Sequence, residues 1–105
     1  MVERVAFRMR LTPGRMDEYR RRHDEIWPEL ADLLRSSGIS DYWIWLDPET
    51  HCLFATFVRA EANSIHALPE TEIMRRWWAM MGDIMETNPD HSPVQVDLIP
   101  MFHLP

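Results

Sequence analysis

The chain contains no lysine, one cysteine and three glycines, and each shortage excludes a class of chemistry. All 11 basic residues among the 105 are arginines, which rules out Schiff-base catalysis through a side-chain amine, including lysine-bound pyridoxal phosphate. Cys52 stands alone, so no internal disulfide can form, and a reducing cytoplasm fits this composition. Three glycines cannot supply the glycine-rich loop of a phosphate or dinucleotide site.

Long apolar runs and positive charge are also missing. No apolar run is long enough to span a bilayer, and residues 1–11 lack the apolar core and cleavage site of a signal peptide. The net charge of −6 argues against binding to a phosphate backbone, which needs a basic surface. We therefore expect a cytoplasmic protein that binds neither membranes nor nucleic acids.

Hydrophobic patterning predicts one α+β domain over residues 1–105, because so short a chain has room for a single core. The pattern predicts a strand over 4–11, a helix from Thr12–Pro13 to Gly38, strands over 39–46 and 52–59, helices over 61–68 and 71–85, a loop over 86–93 and a strand over 94–104. This βαββαβ order is that of a ferredoxin-like fold, with an antiparallel sheet and both helices on one face.

Pro28 interrupts the first predicted helix. Its nitrogen has no hydrogen to donate, and its ring crowds the carbonyl of the residue four positions earlier, Asp24. The sequence therefore predicts a kink or break between residues 24 and 28.

The hairpin predicted over residues 39–59 is apolar on both faces. Tyr42, Ile44 and Leu46 would point to one side of the sheet, and Trp43 and Trp45 to the other. Two helices cover only one side, so the other would remain a large exposed apolar patch. A second copy of the chain is the simplest cover, which predicts a symmetric homodimer packed sheet to sheet. A partly exposed face lined with ligand is compatible with this interpretation.

Tyr19 and His23 are the first candidates for a chemical site. They lie four residues apart on the apolar face of the first helix, so their side chains share that face just before the predicted break. A phenol and an imidazole there could transfer protons near neutral pH. The opposite face carries Arg20, Arg21 and other charged residues, which is typical of a solvated surface. The alternative is that His23 is a core residue whose nitrogens are satisfied by backbone or water.

Tryptophan and the polar loop offer further candidates. Adjacent helical residues point about 100° apart, so one of Trp77 and Trp78 can enter the core while the other faces a groove. Indole rings could form a platform for the apolar face of a sugar, although packing is the alternative for both. The loop over 88–93 offers an amide, a carboxylate, an imidazole and a hydroxyl, but a simple turn explains it better.

Metal binding is not predicted, because His23 has no partner at the spacing of a helical zinc pair and Cys52 has no cysteine partner. The remaining inventory suits proton transfer on a small neutral polyol better than redox, phosphoryl or acyl chemistry.

Three long stretches resemble the L-rhamnose mutarotase family: EYRRRHDEIWPEL over 18–30, GISDYWIWLD over 38–47 and RWWAMMGDIMETNPDHSP over 76–93, followed by FHLP at 102–105. The resemblance runs over nearly the whole chain. It implies a dimeric α/β barrel fold, no metal or cofactor, and interconversion of the α and β anomers of L-rhamnopyranose, a small-molecule sugar.

The same resemblance assigns roles to individual residues. By motif, His23 matches the family's catalytic acid/base, and the matches to its sugar-binding residues are Tyr19, Tyr42, Trp77 and Trp78. The chain departs from the pattern at His91, where asparagine is common, and at Trp43 and Trp45, where smaller or tyrosine side chains are frequent.

Mutarotation needs a proton donor to the ring oxygen and a base for the anomeric hydroxyl. The expected donor is His23, and the expected base is water or a carboxylate such as Asp90. The alternative functions for such a fold are a monooxygenase and a non-catalytic sugar sensor.

Overall fold

The computed structural model describes residues 2–105, and its elements follow the predicted βαββαβ order with the first helix divided in two. The elements are β1 (Glu3–Arg10), α1 (Met16–Asp24), α2 (Pro28–Ser36), β2 (Ile39–Leu46), β3 (Cys52–Arg59), a 3-10 segment (Ile65–Glu70), α3 (Glu72–Met81) and β4 (Val96–Asp97). The longest helix in this part of the chain, α3, has ten residues, and no helix there is long and apolar enough to cross a membrane.

The four strands form one antiparallel sheet in the order β2-β3-β1-β4. The register places Phe7 opposite Ala55, and Ala55 opposite Ile44, so these three side chains share one face. Together with the helices, this topology confirms the predicted α+β, ferredoxin-like class.

The core lies between one face of the sheet and the helices. Its buried members include Phe7, Met9, Leu53, Ala55 and Phe57 from the strands and Tyr19, Leu30, Trp77 and Met81 from the helices. The alternation predicted for the first strand is confirmed, because Phe7, Met9 and Leu11 are buried.

The opposite face of the sheet carries no helix. Trp43 and Trp45 project from it with their rings stacked at 5.2 Å, and they are 52% and 58% exposed. Val96 and Leu98, near β4, add exposed apolar surface to the same face. The expected apolar second face is therefore present.

The break predicted at Pro28 is confirmed. Helix α1 ends at Asp24, and α2 begins at Pro28, whose missing N–H costs nothing at the first helical position. Trp27 precedes it in an extended conformation, as the residue before a proline prefers.

Three helices have boundaries that differ from the prediction. The first helix begins at Met16 and not at Thr12, because Gly14 has a φ of +82° and Arg15 closes a turn onto the Thr12 carbonyl. The 3-10 segment extends past Pro69 to Glu70. Helix α3 begins at Glu72 and ends at Met81, yet Ile84 and Met85 beyond it are still buried, which explains why the apolar stripe suggested a longer helix.

The C-terminal strand is also shorter than predicted. It pairs with β1 only at Val96–Asp97, and a further bond runs from the Leu98 N–H to the Ala6 carbonyl. The apolar side chains of Ile99, Met101, Phe102 and Leu104 are at least 79% exposed. The strand predicted to reach Leu104 therefore ends at Asp97, and the described chain places no strand beside residues 99–104.

Gly38 provides a test of the tight connection from α2 to β2. Its φ is +106°, and a Cβ there would lie 2.7 Å from the Asn63 Cβ. We expect Gly38→Ala to lower the free energy of unfolding by about 2 kcal/mol or more, measured by urea denaturation. Gly14→Ala is the matched control, because Gly14 also has positive φ but a Cβ there would meet nothing within 4 Å, and the change should cost only about 1 kcal/mol. Equal losses in the two variants would contradict the predicted clash.

Candidate active site

A cavity of about 470 Å³ opens between the three helices and the core face of the sheet. The five residues to which the family resemblance assigns roles all line it: Tyr19, His23, Tyr42, Trp77 and Trp78. Most of the remaining lining is aliphatic side chains and methionine. Such a space suits a small ligand with apolar surface and a few polar groups.

Helix α1 presents Tyr19 and His23 together. Their rings are stacked with centroids 4.3 Å apart, as the spacing of one helical turn allows. His23 Nδ1 lies 3.0 Å from the backbone carbonyl oxygen of Tyr19. Because a carbonyl only accepts, Nδ1 must carry the hydrogen, which leaves Nε2 as the nitrogen able to exchange a proton with a ligand.

Aromatic rings from other elements surround this pair. The Trp77 ring meets His23 edge to face at 5.4 Å and Trp27 edge to face at 5.2 Å. Trp77 is buried and Trp78 half-buried, in line with the roughly 100° between neighbouring helical residues. On the sheet side, the Tyr42 ring stacks on Phe57 at 5.4 Å.

Burial in this apolar space shifts the titration of the polar groups. It lowers the pKa of His23, against the opposing effects of the hydrogen bond to Tyr19 and the charge of Asp24. Burial raises the pKa of Tyr19 well above its ordinary range, with a smaller contribution from nearby Tyr42. Although Tyr42 is 39% exposed, burial of its hydroxyl raises its pKa to about 12. At neutral pH the imidazole is therefore mainly uncharged, and both phenols are protonated donors.

The polar loop contributes little to the cavity. Of residues 86–93 only Pro93 lines it, and Asp90, suggested by the sequence as a base, does not. The exposed Asp90 carboxylate instead accepts hydrogen bonds from the backbone N–H and the hydroxyl of Ser92. The Asn88 N–H donates to the Ser92 carbonyl at 2.8 Å, so this segment forms a turn.

Two charged residues of the cavity are missed by the sequence reasoning. Arg20 and Asp24 both line it, although the helical pattern places Arg20 on the solvated face. Arg20 directly follows Tyr19, and Asp24 directly follows His23. The two charged residues are therefore also four apart on α1, and this spacing could have indicated that they lie beside the Tyr19–His23 pair. Across residues 2–105, no group of three or more histidine, cysteine or acidic residues could hold a metal ion.

Comparison with known proteins identifies close relatives. The family model described as L-rhamnose mutarotase matches residues 4–104. The L-rhamnose mutarotase of Burkholderia ambifaria is 63% identical over 98% of this chain and 99% of its own, and that of Brucella anthropi is 59% identical over 98% and 97%. The crystal structure of an L-rhamnose mutarotase from Formosa agariphila superposes with a TM-score of 0.92 at 43% identity, covering 98% of this chain and 99% of that one.

A more distant similarity concerns the fold alone. The crystal structure of a putative antibiotic biosynthesis monooxygenase from Bacteroides thetaiotaomicron superposes with a TM-score of 0.60 at 14% identity, over 96% of this chain and 90% of that one.

The lowered pKa of His23 predicts a pH dependence of stability. Below pH about 6.5 an unfolded histidine takes up a proton that the folded His23 still resists, so acid favours the unfolded state. Stability should therefore fall as the pH drops below about 6.5, until the folded imidazole also becomes protonated. Urea unfolding between pH 7.5 and pH 5 should show a shallower loss for His23→Gln than for the wild type. His66→Gln, at an exposed position, is the control. If the free energy of unfolding falls equally with pH in the wild type and in His23→Gln, the lowered pKa of His23 is refuted.

Proposed function

The chain belongs to the L-rhamnose mutarotase family, and we infer that it interconverts the α and β anomers of L-rhamnopyranose, as an isomerase of rhamnose catabolism. The observation that supports a particular reacting atom concerns the His23 imidazole. It lines the cavity and is stacked on Tyr19, and its Nε2 makes no described hydrogen bond.

We propose His23 as the proton donor. A proton is added to the ring oxygen while a base removes the anomeric hydroxyl proton, and the bond from C1 to the ring oxygen breaks to give the aldehyde. Rotation about C1–C2 and closure on the other face return both protons, so the overall reaction consumes nothing. At neutral pH most of the imidazole is uncharged with its hydrogen on Nδ1, so the donor is the minority protonated form, which also carries a hydrogen on Nε2. Because the pKa is lowered, that form is a stronger acid and exchanges its proton readily near neutrality.

The complementary base must be a group other than the phenols. Tyr19 and Tyr42 have raised pKa values, so they stay protonated and can only donate hydrogen bonds to sugar oxygens at neutral pH. Asp90 lies outside the cavity lining, whereas Asp24 is on it. We therefore propose that the base is either water at the open side of the cavity or the Asp24 carboxylate.

The proposed sugar site combines apolar and polar contacts. Trp77 and Trp78 would stack on the C–H face of the pyranose, where indole gives a large contact area. The hydroxyls of Tyr19 and Tyr42 would bind sugar oxygens, and the 6-deoxy methyl group would add an apolar contact. No metal or cofactor has a part in this scheme.

We also propose that the protein is a homodimer packed through the helix-free face of the sheet. The support is the exposed apolar surface of that face, which includes Trp43, Trp45, Val96 and Leu98. Residues 99–104, which are exposed and belong to no helix or strand, offer further apolar side chains to a second copy. Monomeric proteins rarely leave so much continuous apolar surface in water.

A cytoplasmic location completes the proposal. Cys52 is free and buried at the start of β3, and free thiols are common where the environment is reducing.

His23→Ala should remove most of the activity, because well-placed acid–base catalysis contributes about 10²–10⁴-fold in rate. Saturation-transfer NMR on an equilibrium mixture of L-rhamnose anomers would measure the exchange with and without protein. His66→Ala, exposed and outside the cavity, should exchange the anomers at the wild-type rate. Near-normal exchange in His23→Ala would remove His23 from the mechanism. Wild-type binding without faster exchange would indicate a sensor, and oxygen consumption or a haem Soret band would indicate an oxygenase.

Trp45→Arg should dissociate the proposed dimer, because it replaces an exposed indole of the helix-free face, on edge strand β2, with a charge. Sedimentation equilibrium should give a dimer for the wild type and a shift towards monomer for the variant. Ser36→Arg, on the exposed end of α2 on the other side of the sheet, adds the same charge and should remain dimeric. A monomeric wild type would refute the dimer, and a fully dimeric Trp45→Arg would refute this face as the interface.

A further inference from the structure

Arg22 is held far more tightly than the other arginines that form ion pairs. Its side chain is 13% exposed, whereas every other ion-paired arginine among residues 2–105 is at least 40% exposed. Its Nη1 donates to the Met80 carbonyl at 2.8 Å and to Asp83 Oδ1 at 2.7 Å, and its Nη2 donates to Asp83 Oδ2 at 3.2 Å. Glu18 lies 3.6 Å from Nη2.

These contacts join α1 to the C-terminal end of α3. Met80 belongs to the last turn of α3, where backbone carbonyls have no partner within the helix, and Asp83 lies just beyond that end. Exposed single ion pairs contribute little to stability. A two-pronged arginine fork fixes orientation as well as distance, however, and the additional carbonyl bond ties the guanidinium to the backbone of α3.

The same two helices carry the reacting group and the aromatic platform. His23 follows Arg22 directly, and its ring meets Trp77 of α3 at 5.4 Å and 90°. The hydrogen bond described for His23 goes to Tyr19 of its own helix and not to α3. The position of the imidazole relative to Trp77 therefore depends on how α1 sits against α3.

We propose that Arg22 and Asp83 are positioning residues that set the distance and angle between the His23 imidazole and the Trp77–Trp78 platform. The catalytic part of this inference rests on the proposed function. Neither residue lines the cavity, so they act through His23 and not on the sugar. A displacement of about 1 Å at a reacting group can cost about 10²-fold in rate.

The test uses Arg22→Gln, Arg22→Lys and Asp83→Asn in the full-length protein. With the platform intact and the acid misaligned, kcat for L-rhamnose anomer exchange should fall about 10–100-fold in Arg22→Gln, with KM changed less than about threefold. Arg22→Lys should recover only part of the rate, because an ammonium cannot reproduce the fork. Arg76→Gln is the matched control, since Arg76 precedes Trp77 but pairs with Glu72 on the exposed side of α3, and it should keep the wild-type kcat.

A second readout does not depend on activity. The Trp77 ring, edge to face with His23, should shift the NMR signals of the His23 ring protons, and we expect Arg22→Gln to move those signals while Arg76→Gln leaves them in place. If Arg22→Gln does not fold, Asp83→Asn, which alters an exposed carboxylate, should show the same changes at smaller amplitude.

The outcomes separate the two proposals. A wild type that does not accelerate anomer exchange would refute the proposed function, and the His23 ring shifts would still decide whether the fork positions the imidazole. Loss of thermal stability in the Arg22 variants with unchanged kcat and unchanged ring shifts would overturn the positioning role and leave a purely structural ion pair.

Discussion

The helix break at Pro28 is the constraint on which the cavity depends. A continuous helix would place Trp27, four residues after His23, on the same face as the imidazole. Because proline cannot continue the helix, the chain turns through residues 25–27, and the Trp27 ring packs on Trp77 at 5.2 Å. Trp27 thereby becomes part of the support behind Trp77, and the face of α1 that carries His23 stays free to border the cavity.

The apolar character of that cavity decides how its polar groups work. Desolvation penalises every charged form, so it lowers the pKa of the imidazole and raises those of the two phenols. One environment therefore produces a group that readily gives or takes a proton beside two groups that hold theirs. Burial is the main cause of all three pKa shifts. Among the described residues, no ion pair holds a charged partner against His23.

Much of this arrangement could be predicted from the sequence because it depends on local rules. Hydrophobic patterning indicated the limits of β2 and β3, proline chemistry located the helix break, and i, i+4 spacing brought Tyr19 beside His23. The errors have two different causes. The N-terminal limit of α1 depends on a left-handed backbone conformation at Gly14, and the C-terminal segment has no neighbouring strand beyond Asp97 in the described chain.

The site residues, too, were predicted only in part from the sequence. Family resemblance and spacing identified five residues on the cavity wall, but the sequence could not show that Asp90 turns back onto Ser92. Nor could it distinguish Arg22 from its two arginine neighbours, since all three look alike on a charged helix. Only the approach of α3 makes one of them different.

The shortness of α1 has a consequence for how the molecule behaves over time. A nine-residue helix with one buried side chain, Tyr19, would not hold its shape alone in water, so it persists only through its tertiary neighbours. Segments of this kind open more often than the rest of a domain, and hydrogen exchange at their amides records the opening. In the proposed mechanism the sugar contacts Tyr19 and His23 only when α1 is folded, so substrate binding would itself help to keep α1 folded.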